Sequence, residues 1–197
     1  VREAGVRAEL RAVAGAPLRT NIDMDLQRFI ARLFADSLVG AAVAIEPSTG
    51  AVLAILSAPG YDPNRLKGRG SQEYWGILNT DPRKPLVNKA IQGRYEPGST
   101  WKLATAIIGL QDSLVKMDEV MPQRCEGGYQ FGKRFYRCWN KDGHGRIDLR
   151  HAIEQSCDVY FYQLGYRITL AGLVAGGRKM EFGEKTRVDL PDEVVSD

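Results

Sequence analysis

The chain has 197 residues, of which 44% are hydrophobic and 26% are charged, a composition typical of a folded domain rather than a disordered segment. Its 27 basic and 24 acidic residues give a net charge of +3 and are spread along the sequence, which argues against a nucleic-acid-binding surface. The apolar runs are too short for a membrane span, which needs about 20 residues.

The first regular element is predicted shortly after residue 20. Asp23 can cap a helix in which apolar residues recur at three- and four-residue spacing. These apolar residues are Leu26, Phe29, Ile30, Leu33 and Phe34. Residues 41–45 and 52–56 are short segments rich in valine, isoleucine and alanine, and residues 46–50 between them are turn-forming. This pattern predicts a buried antiparallel hairpin.

The rest of the chain alternates irregular and helical stretches. Residues 57–95 are rich in proline, glycine, asparagine and aspartate and show little periodicity, so we predict a long, partly ordered excursion there. Residues 99–114 keep the apolar spacing of a helix at the centre of the core. Further helices are predicted over residues 147–155 and 159–167, with a break at 156–158. The order of elements favours an α+β domain.

Ser99 and Lys102 form a candidate nucleophile and base at the start of the predicted buried helix. Residues three apart share one helix face, so the hydroxyl and the amine point into the same space. A serine hydroxyl needs a neighbouring base before it attacks a carbonyl, and the free amides of a helix N-terminus suit the oxyanion that then forms. The spacing alone is not specific, because Ser113 and Lys116 share it and Ser99 would equally serve as a helix cap.

A second candidate element is the tripeptide Ser156-Cys157-Asp158, which interrupts two predicted helices. Alternation along an extended tripeptide places Ser156 and Asp158 on one side and Cys157 on the other. Asp158 would also suit the cap of the following helix. Together with the serine and lysine above, the tripeptide resembles the first two motifs of the serine enzymes that react with penicillin, Ser-x-x-Lys and Ser-Asp-Asn, although only the serine of the second motif is identical.

Three longer stretches strengthen this match: TNIDMDLQ at 20–27, EPSTGAVLA at 46–54 and NKAIQGRYEPGSTWK at 88–102. In this order they resemble the transpeptidase domain of class B penicillin-binding proteins. Residues 71–85 are most similar to the penicillin-binding protein 2 branch, which serves cell elongation. The resemblance implies an α+β, β-lactamase/transpeptidase-like fold, with an antiparallel sheet, helices on both of its faces and a helical subdomain.

The resemblance also implies a role for each motif residue. Ser99 would attack the penultimate D-alanine carbonyl of a stem peptide, and Lys102 would accept its proton. Ser156 would help to return a proton to the departing D-alanine, and Asp158, where many relatives carry asparagine, would orient Lys102 and the substrate amide. The amine of a second peptide would then resolve the acyl-enzyme, β-lactams would trap it, and catalysis would need no cofactor.

Domain limits follow from the same resemblance. Residues 1–19 would be a linker or the tail of a preceding pedestal domain, and 20–197 would be the transpeptidase domain. The third motif of the family, Lys-Thr-Gly, supplies contacts to the substrate carboxylate and half of the oxyanion hole. We do not find it, because residues 185–187 read Lys-Thr-Arg and align with an earlier family segment. We therefore expect a domain that stops before the third-motif strand and has weak transpeptidase activity or none by itself.

The implied location is the extracytoplasmic face of the bacterial cytoplasmic membrane, the periplasm, with an N-terminal helical anchor absent from this chain. The expected partners are peptidoglycan stem peptides, β-lactams and a membrane glycosyltransferase of the elongation machinery, with no nucleic acid. Two alternatives stay open at this point. One is a β-lactamase or β-lactam sensor of the same fold, and the other is a noncatalytic, zinc-stabilised scaffold that binds elongation-machinery partners.

The cysteines suggest a metal site. All three cysteines and one of the two histidines form the pattern C-x12-C-x5-H-x12-C, through Cys125, Cys138, His144 and Cys157. Three thiolates and one imidazole satisfy a tetrahedral, structural zinc ion. The alternative is a disulfide between Cys125 and Cys138, with Cys157 as a buried thiol. We favour zinc, because Cys157 would then tie the tripeptide to the glycine-rich segment before it; we expect His151 at the surface.

Overall fold

The computed structural model describes residues 13–34 and 38–195, and these form two compact units. The first unit ends at Ala90 and the second begins at Ile91. Within the described ranges, no helix is long and apolar enough to cross a membrane. The mixture of helices and antiparallel strands agrees with the predicted α+β class. Most of the expected linker, residues 1–12, lies outside the described residues.

Helix α1 (Met24–Phe34) begins where the sequence predicts, because Asp23 caps it. The Asp23 carboxylate accepts hydrogen bonds from two backbone N–H groups of the first turn, at 2.9 and 3.0 Å. Gln27 then attaches the helix to a strand: its side chain donates to the carbonyl of Ile55 and accepts from the N–H of Ile55, both at 2.9 Å.

Strands β1 (Gly40–Ile45) and β2 (Val52–Ala58) form the predicted antiparallel hairpin. Gly50, with a φ of 73°, supplies the left-handed residue of the connecting turn. The hairpin is half-buried rather than buried as predicted. Strand alternation puts Val43 and Ile45 on one face, and these side chains are 46% and 55% exposed.

Residues 57–95 are more ordered than the sequence predicts. They hold a 3₁₀ turn (Pro63–Leu66), helix α2 (Ser71–Thr80) and helix α3 (Lys89–Gln92). The periodicity of α2 is weak because only one of its side chains, Leu78, is buried. Polar contacts hold the segment instead: the Tyr74 hydroxyl, for example, accepts a hydrogen bond from the N–H of Asp62 at 3.1 Å.

In the second unit, the helix predicted over residues 99–114 is shorter at both ends. Gly98–Thr100 form a 3₁₀ turn, and helix α4 runs over Trp101–Gln111. The helix ends because Ser113 has a left-handed backbone, with a φ of 55°, and the N–H of Leu114 turns back to the carbonyl of Gly109 at 2.8 Å. Ser99 therefore lies in the turn that leads into α4.

The glycine-rich segment contains a second antiparallel hairpin, β3 (Gly128–Phe131) with β4 (Arg134–Arg137). Helix α5 (Leu149–Glu154) and helix α6 (Asp158–Lys179) follow, with the predicted break between them. Helix α6 is longer than predicted and is interrupted at Thr169, whose φ of 69° and ψ of 162° are not helical.

The core of the second unit lies where α4 packs against α6. Its largest fully buried side chains are Ile108, Met121, Leu149, Leu164, Val159 and Cys157. The two helices approach closely at Gly176, because a Cβ atom there would overlap the side chain of Ile108. Lys102 is on α4 and Asp158 is the first residue of α6, so this packing sets the separation of the two elements that carry the candidate site.

Candidate active site

Ser156 lies between the predicted nucleophile and the predicted base. Its Oγ atom is 3.1 Å from Oγ of Ser99 and 3.0 Å from Nζ of Lys102. Among the hydrogen bonds of the described residues, Ser99 therefore reaches Lys102 through Ser156 and not directly. The sequence predicts that these three residues come together, but it does not predict this order.

The amine of Lys102 is held by several groups at once. Besides Oγ of Ser156, Nζ donates to the carbonyl of Ser156 at 2.8 Å and to Oδ1 of Asp158 at 2.6 Å. The Lys102 and Asp158 side chains are 13% and 22% exposed, so their ion pair is largely shielded from water. The ring of Phe161 lies 5.8 Å from Nζ, within the range of a cation–π contact.

The tripeptide has a strained backbone. Ser156 has a φ of 51°, a left-handed conformation that is unfavourable for a residue with a Cβ atom. Cys157 then caps α6, and Asp158 opens it. Ser156 and Asp158 contact Lys102, whereas the Cys157 side chain is fully buried among other cysteines. The sequence predicts this division, but the predicted cause is wrong: Ser156 is left-handed and Asp158 is helical, so the division does not come from the alternation of an extended tripeptide.

Trp139 contacts the same turn from the neighbouring loop. Its backbone N–H donates to Oδ2 of Asp158 at 3.0 Å, and its indole N–H donates to the carbonyl of Gln155 at 3.0 Å. The two oxygens of Asp158 thus serve different partners, Lys102 and Trp139. Trp139 was not predicted from the sequence, because a backbone donor has no residue-type signature; its position directly after Cys138 is the one available signal.

The predicted metal ligands come together on the other side of the tripeptide. The ligand atoms of Cys125, Cys138, His144 and Cys157 all lie within 4.8 Å of one another. Nδ1 of His144 is 3.5 Å from Sγ of Cys125 and 3.5 Å from Sγ of Cys138. Two ligands on a tetrahedral zinc ion, with bonds of about 2.0 Å to nitrogen and 2.3 Å to sulfur, are roughly 3.5 Å apart. The cluster therefore has the dimensions of a metal site.

The cluster is enclosed by the protein. All three cysteines are buried free thiols, and Nε2 of His144 is buried without a hydrogen-bond partner among the described residues. Burial is the main reason that the pKa of the Cys157 thiol rises to about 12. The loop is drawn tight at Gly143, which has a φ of 81° and lies so close to the carbonyl of Cys125 that no Cβ atom fits. The second histidine, His151, lies outside the cluster at the surface, where it contacts Asp148.

Residues 40–197 match the family described as "Penicillin binding protein transpeptidase domain". The chain belongs to this family. It is 37% identical over 188 residues to the peptidoglycan D,D-transpeptidase MrdA of Escherichia coli strain K12. That match covers 94% of this chain and 29% of the relative, so the chain spans less than a third of the length of that transpeptidase.

Comparison with solved structures also identifies penicillin-binding proteins as similar to this chain. The chain is similar to penicillin-binding protein 2 of Pseudomonas aeruginosa in complex with WCK 5153, with a TM-score of 0.80 and 37% identity over 89% of this chain and 38% of that chain. It is also similar to the penicillin G acyl-enzyme complex of penicillin-binding protein A from M. tuberculosis, with a TM-score of 0.72 and 30% identity over 80% of this chain and 38% of that chain.

These similarities confirm the predicted family, its penicillin-binding protein 2 branch and the transpeptidase-like fold. The family match begins at residue 40, and the boundary between the two compact units falls between residues 90 and 91. The domain boundary expected after residue 19 stays a prediction.

Proposed function

We propose that the protein is a serine-type peptidoglycan D,D-transpeptidase of the penicillin-binding protein 2 type, which cross-links stem peptides during cell elongation. One observation carries this proposal: the hydrogen-bonded series from Ser99 through Ser156 to Lys102 and Asp158, in a chain of the transpeptidase family. The E. coli relative is itself named a peptidoglycan D,D-transpeptidase.

In the acylation step, Ser99 Oγ forms a bond to the carbonyl carbon of the penultimate D-alanine. Lys102 takes up the Ser99 proton when its amine is deprotonated, and the Ser156 hydroxyl relays the proton by accepting one from Ser99 and donating its own to Nζ. The amide bond to the terminal D-alanine then breaks, and the proton returns through Ser156 to the departing nitrogen. Asp158 keeps Lys102 in place throughout, through the 2.6 Å contact.

The acyl-enzyme is resolved when the amine of a second stem peptide attacks the ester carbonyl. This attack forms the new cross-link, restores the Ser99 hydroxyl and uses the same proton relay in reverse. A β-lactam enters the first step, because its ring amide takes the place of the D-alanyl-D-alanine amide, and the ring-opened product remains attached to Ser99. The related penicillin-binding protein A from M. tuberculosis forms an acyl-enzyme complex with penicillin G, which supports this step.

Covalent labelling tests the proposal. The protein at its natural full length is incubated with a fluorescent penicillin, and the labelled peptide is identified by mass spectrometry. We expect one label per chain, on Ser99, and none in Ser99→Ala. Labelling of the Ser99→Ala variant, or an unlabelled wild type, would contradict the proposal, and rapid loss of the label would indicate a β-lactamase instead.

We further propose that Cys125, Cys138, His144 and Cys157 bind a structural zinc ion. Four protein ligands complete a tetrahedral shell and leave no position for substrate. The 3.5 Å spacings between Nδ1 and the two sulfur atoms support the proposal, as does the burial of all three thiols. The ion would fix the loop on one side of the tripeptide, with Ser156 and Asp158 on the other.

Metal analysis of the purified protein tests the zinc proposal. We expect about one zinc ion per chain, and removal with a strong chelator should lower the unfolding temperature. A Cys125–Cys138 disulfide in a protein that contains no metal would contradict the proposal.

From the similarity to the elongation-type branch, we propose that the protein acts on the extracytoplasmic face of the bacterial cytoplasmic membrane. There it would be anchored by a helix outside this chain and would cooperate with a membrane glycosyltransferase. A topology reporter fused after residue 197 should be active only outside the cytoplasm, and cross-linking in cells should capture the glycosyltransferase. A reporter active in the cytoplasm would contradict the location, and the absence of a cross-link would contradict the partnership.

A further inference from the structure

Trp139 is attached to both ends of the turn that carries Ser156. Its indole N–H donates to the carbonyl of Gln155, the residue that closes α5, and its backbone N–H donates to the carboxylate of Asp158, which opens α6. Both distances are 3.0 Å. One residue of the neighbouring loop therefore bridges the three-residue gap between the two helices.

Each of the two hydrogen bonds satisfies a polar group of the turn, a helix-end carbonyl in one case and a carboxylate oxygen in the other. The last carbonyls of a helix have no partner within it, and the indole N–H provides one at Gln155. The bond to Asp158 is charge-assisted, and such bonds are stronger than bonds between neutral groups. Because it occupies Oδ2, it leaves Oδ1 directed at Lys102. Between these two fixed points, Ser156 keeps its left-handed φ of 51°.

Burial does not explain why a tryptophan stands at this position. The Trp139 residue is 65% exposed, and its ring makes one described aromatic contact, with its centroid 5.3 Å from that of His144. A side chain this exposed adds little to the hydrophobic core. Its two hydrogen bonds to the turn are therefore the principal described interactions of the residue.

We infer that Trp139 is a positioning residue for the acylation step. It holds residues 155–158 so that the Ser156 hydroxyl and Oδ1 of Asp158 meet the amine of Lys102. It acts through these groups and not on the substrate. The inference rests on the proposed function, because positioning has a kinetic consequence only if Ser99 is acylated.

The test removes the indole donor and keeps the shape of the ring. In the full-length protein, Trp139 is replaced by 3-benzothienylalanine, in which sulfur takes the place of the N–H group. The substitution Trp139→Phe, which needs no unnatural amino acid, is made in parallel. The rate of acylation by a penicillin is measured over a range of concentrations, which separates the dissociation constant from the limiting rate. We expect the limiting rate to fall about tenfold, with the dissociation constant unchanged.

Trp75 provides the matched control, since it is also a half-exposed tryptophan but belongs to α2. The same replacement at Trp75 should leave both constants unchanged. An unchanged limiting rate in both Trp139 variants would overturn the inference. The inference would also be overturned if the dissociation constant rose by as large a factor as the limiting rate fell, or if the same replacement at Trp75 lowered the limiting rate. Either result would indicate a general destabilisation of the fold and not a role of Trp139 in positioning. A wild type that is not acylated would instead contradict the proposed function itself.

Discussion

Nζ of Lys102 and Oδ1 of Asp158 are 2.6 Å apart although they belong to different helices. Lys102 lies in the first turn of α4, and Asp158 is the first residue of α6. Their contact depends on how closely the two helices pack and on the turn that precedes α6. Substitutions in the turn test the contribution of the turn, and substitutions between α4 and α6 test the contribution of helix packing.

Replacing Ser156 by alanine should break the link between Ser99 and Lys102. We expect the limiting acylation rate to fall about a hundredfold or more, because a positioned proton-transfer group typically contributes that much. Ser113→Ala is the matched control, since Ser113 also has a left-handed backbone, with a φ of 55° against 51° for Ser156. Stopped-flow acylation kinetics measure both variants, and equal rates would exclude the proposed relay.

Asp158→Asn should be tolerated better than Asp158→Ala. The asparagine loses the negative charge but keeps an oxygen for one of the two bonds, so we expect about a tenfold loss of acylation rate, against about a hundredfold for alanine. Asp112→Asn removes an exposed ion pair with Lys179 that joins the same two helices. This control should acylate at the wild-type rate. Equal losses in both Asp158 variants would show that the charge alone matters.

His144→Ala should prevent binding of the proposed zinc ion and destabilise the second unit. We expect the zinc content to fall well below one ion per chain and the unfolding temperature to drop, as zinc binding contributes directly to folding. His151→Ala controls for the loss of a histidine, because the His151 side chain is 52% exposed and lies outside the cluster. Zinc retained by the His144 variant would remove this residue from the ligand set.

The ion pair between Glu119 and Arg167 should make stability depend on pH. The hydrogen bond from Arg167, at 2.6 Å, is the main reason that the pKa of Glu119 lies below its ordinary value of 4.5. A carboxyl group with a lowered folded-state pKa stabilises the fold above 4.5, and this stabilisation is lost as the pH falls through the lower folded-state value.

In Glu119→Gln, urea unfolding should therefore show less loss of stability over that acidic range than in the wild type. Asp25→Asn removes an exposed surface pair with Arg28 and should leave the pH dependence unchanged. Superimposable pH profiles for the wild type and Glu119→Gln would contradict this prediction.

Two glycines of α6 should respond in opposite ways to alanine. At Gly176 a Cβ atom would overlap the buried side chain of Ile108, so Gly176→Ala should cost about 1 to 3 kcal/mol of unfolding free energy. At Gly165 nothing lies within 4 Å of the new methyl group. Gly165→Ala should therefore stabilise the helix by up to about 1 kcal/mol. Urea unfolding measures both values, and a stabilised Gly176→Ala would show that the helices have room to separate.

The sequence was most informative where one local pattern decides the structure. The cap at Asp23, the turn at residues 46–50 and the break at 156–158 all occur where predicted, because each depends on a few adjacent residues. The grouping of three cysteines with His144 was also visible, since no other cysteines are present to confuse it.

The sequence was least informative where contacts are polar or made by the backbone. Helix α2 was missed because it buries only Leu78, and periodicity detects buried stripes. The bridging place of Ser156 depends on its left-handed backbone, which is rarely expected of a serine. The Trp139 N–H is a group that every residue except proline has, so its bond to Asp158 needed three-dimensional structure.

The buried side chain of Cys157, between Ser156 and Asp158, should also limit which substitutions this tripeptide tolerates. A mutation of the middle codon leaves both motif residues intact, yet it removes one member of the cysteine and histidine cluster. The three remaining residues would then no longer supply the four ligands of the proposed zinc site. We therefore expect Cys125, Cys138, His144 and Cys157 to covary among homologues. Homologues should have either all four residues or none of them, whereas the serine at position 156 should be present in both groups.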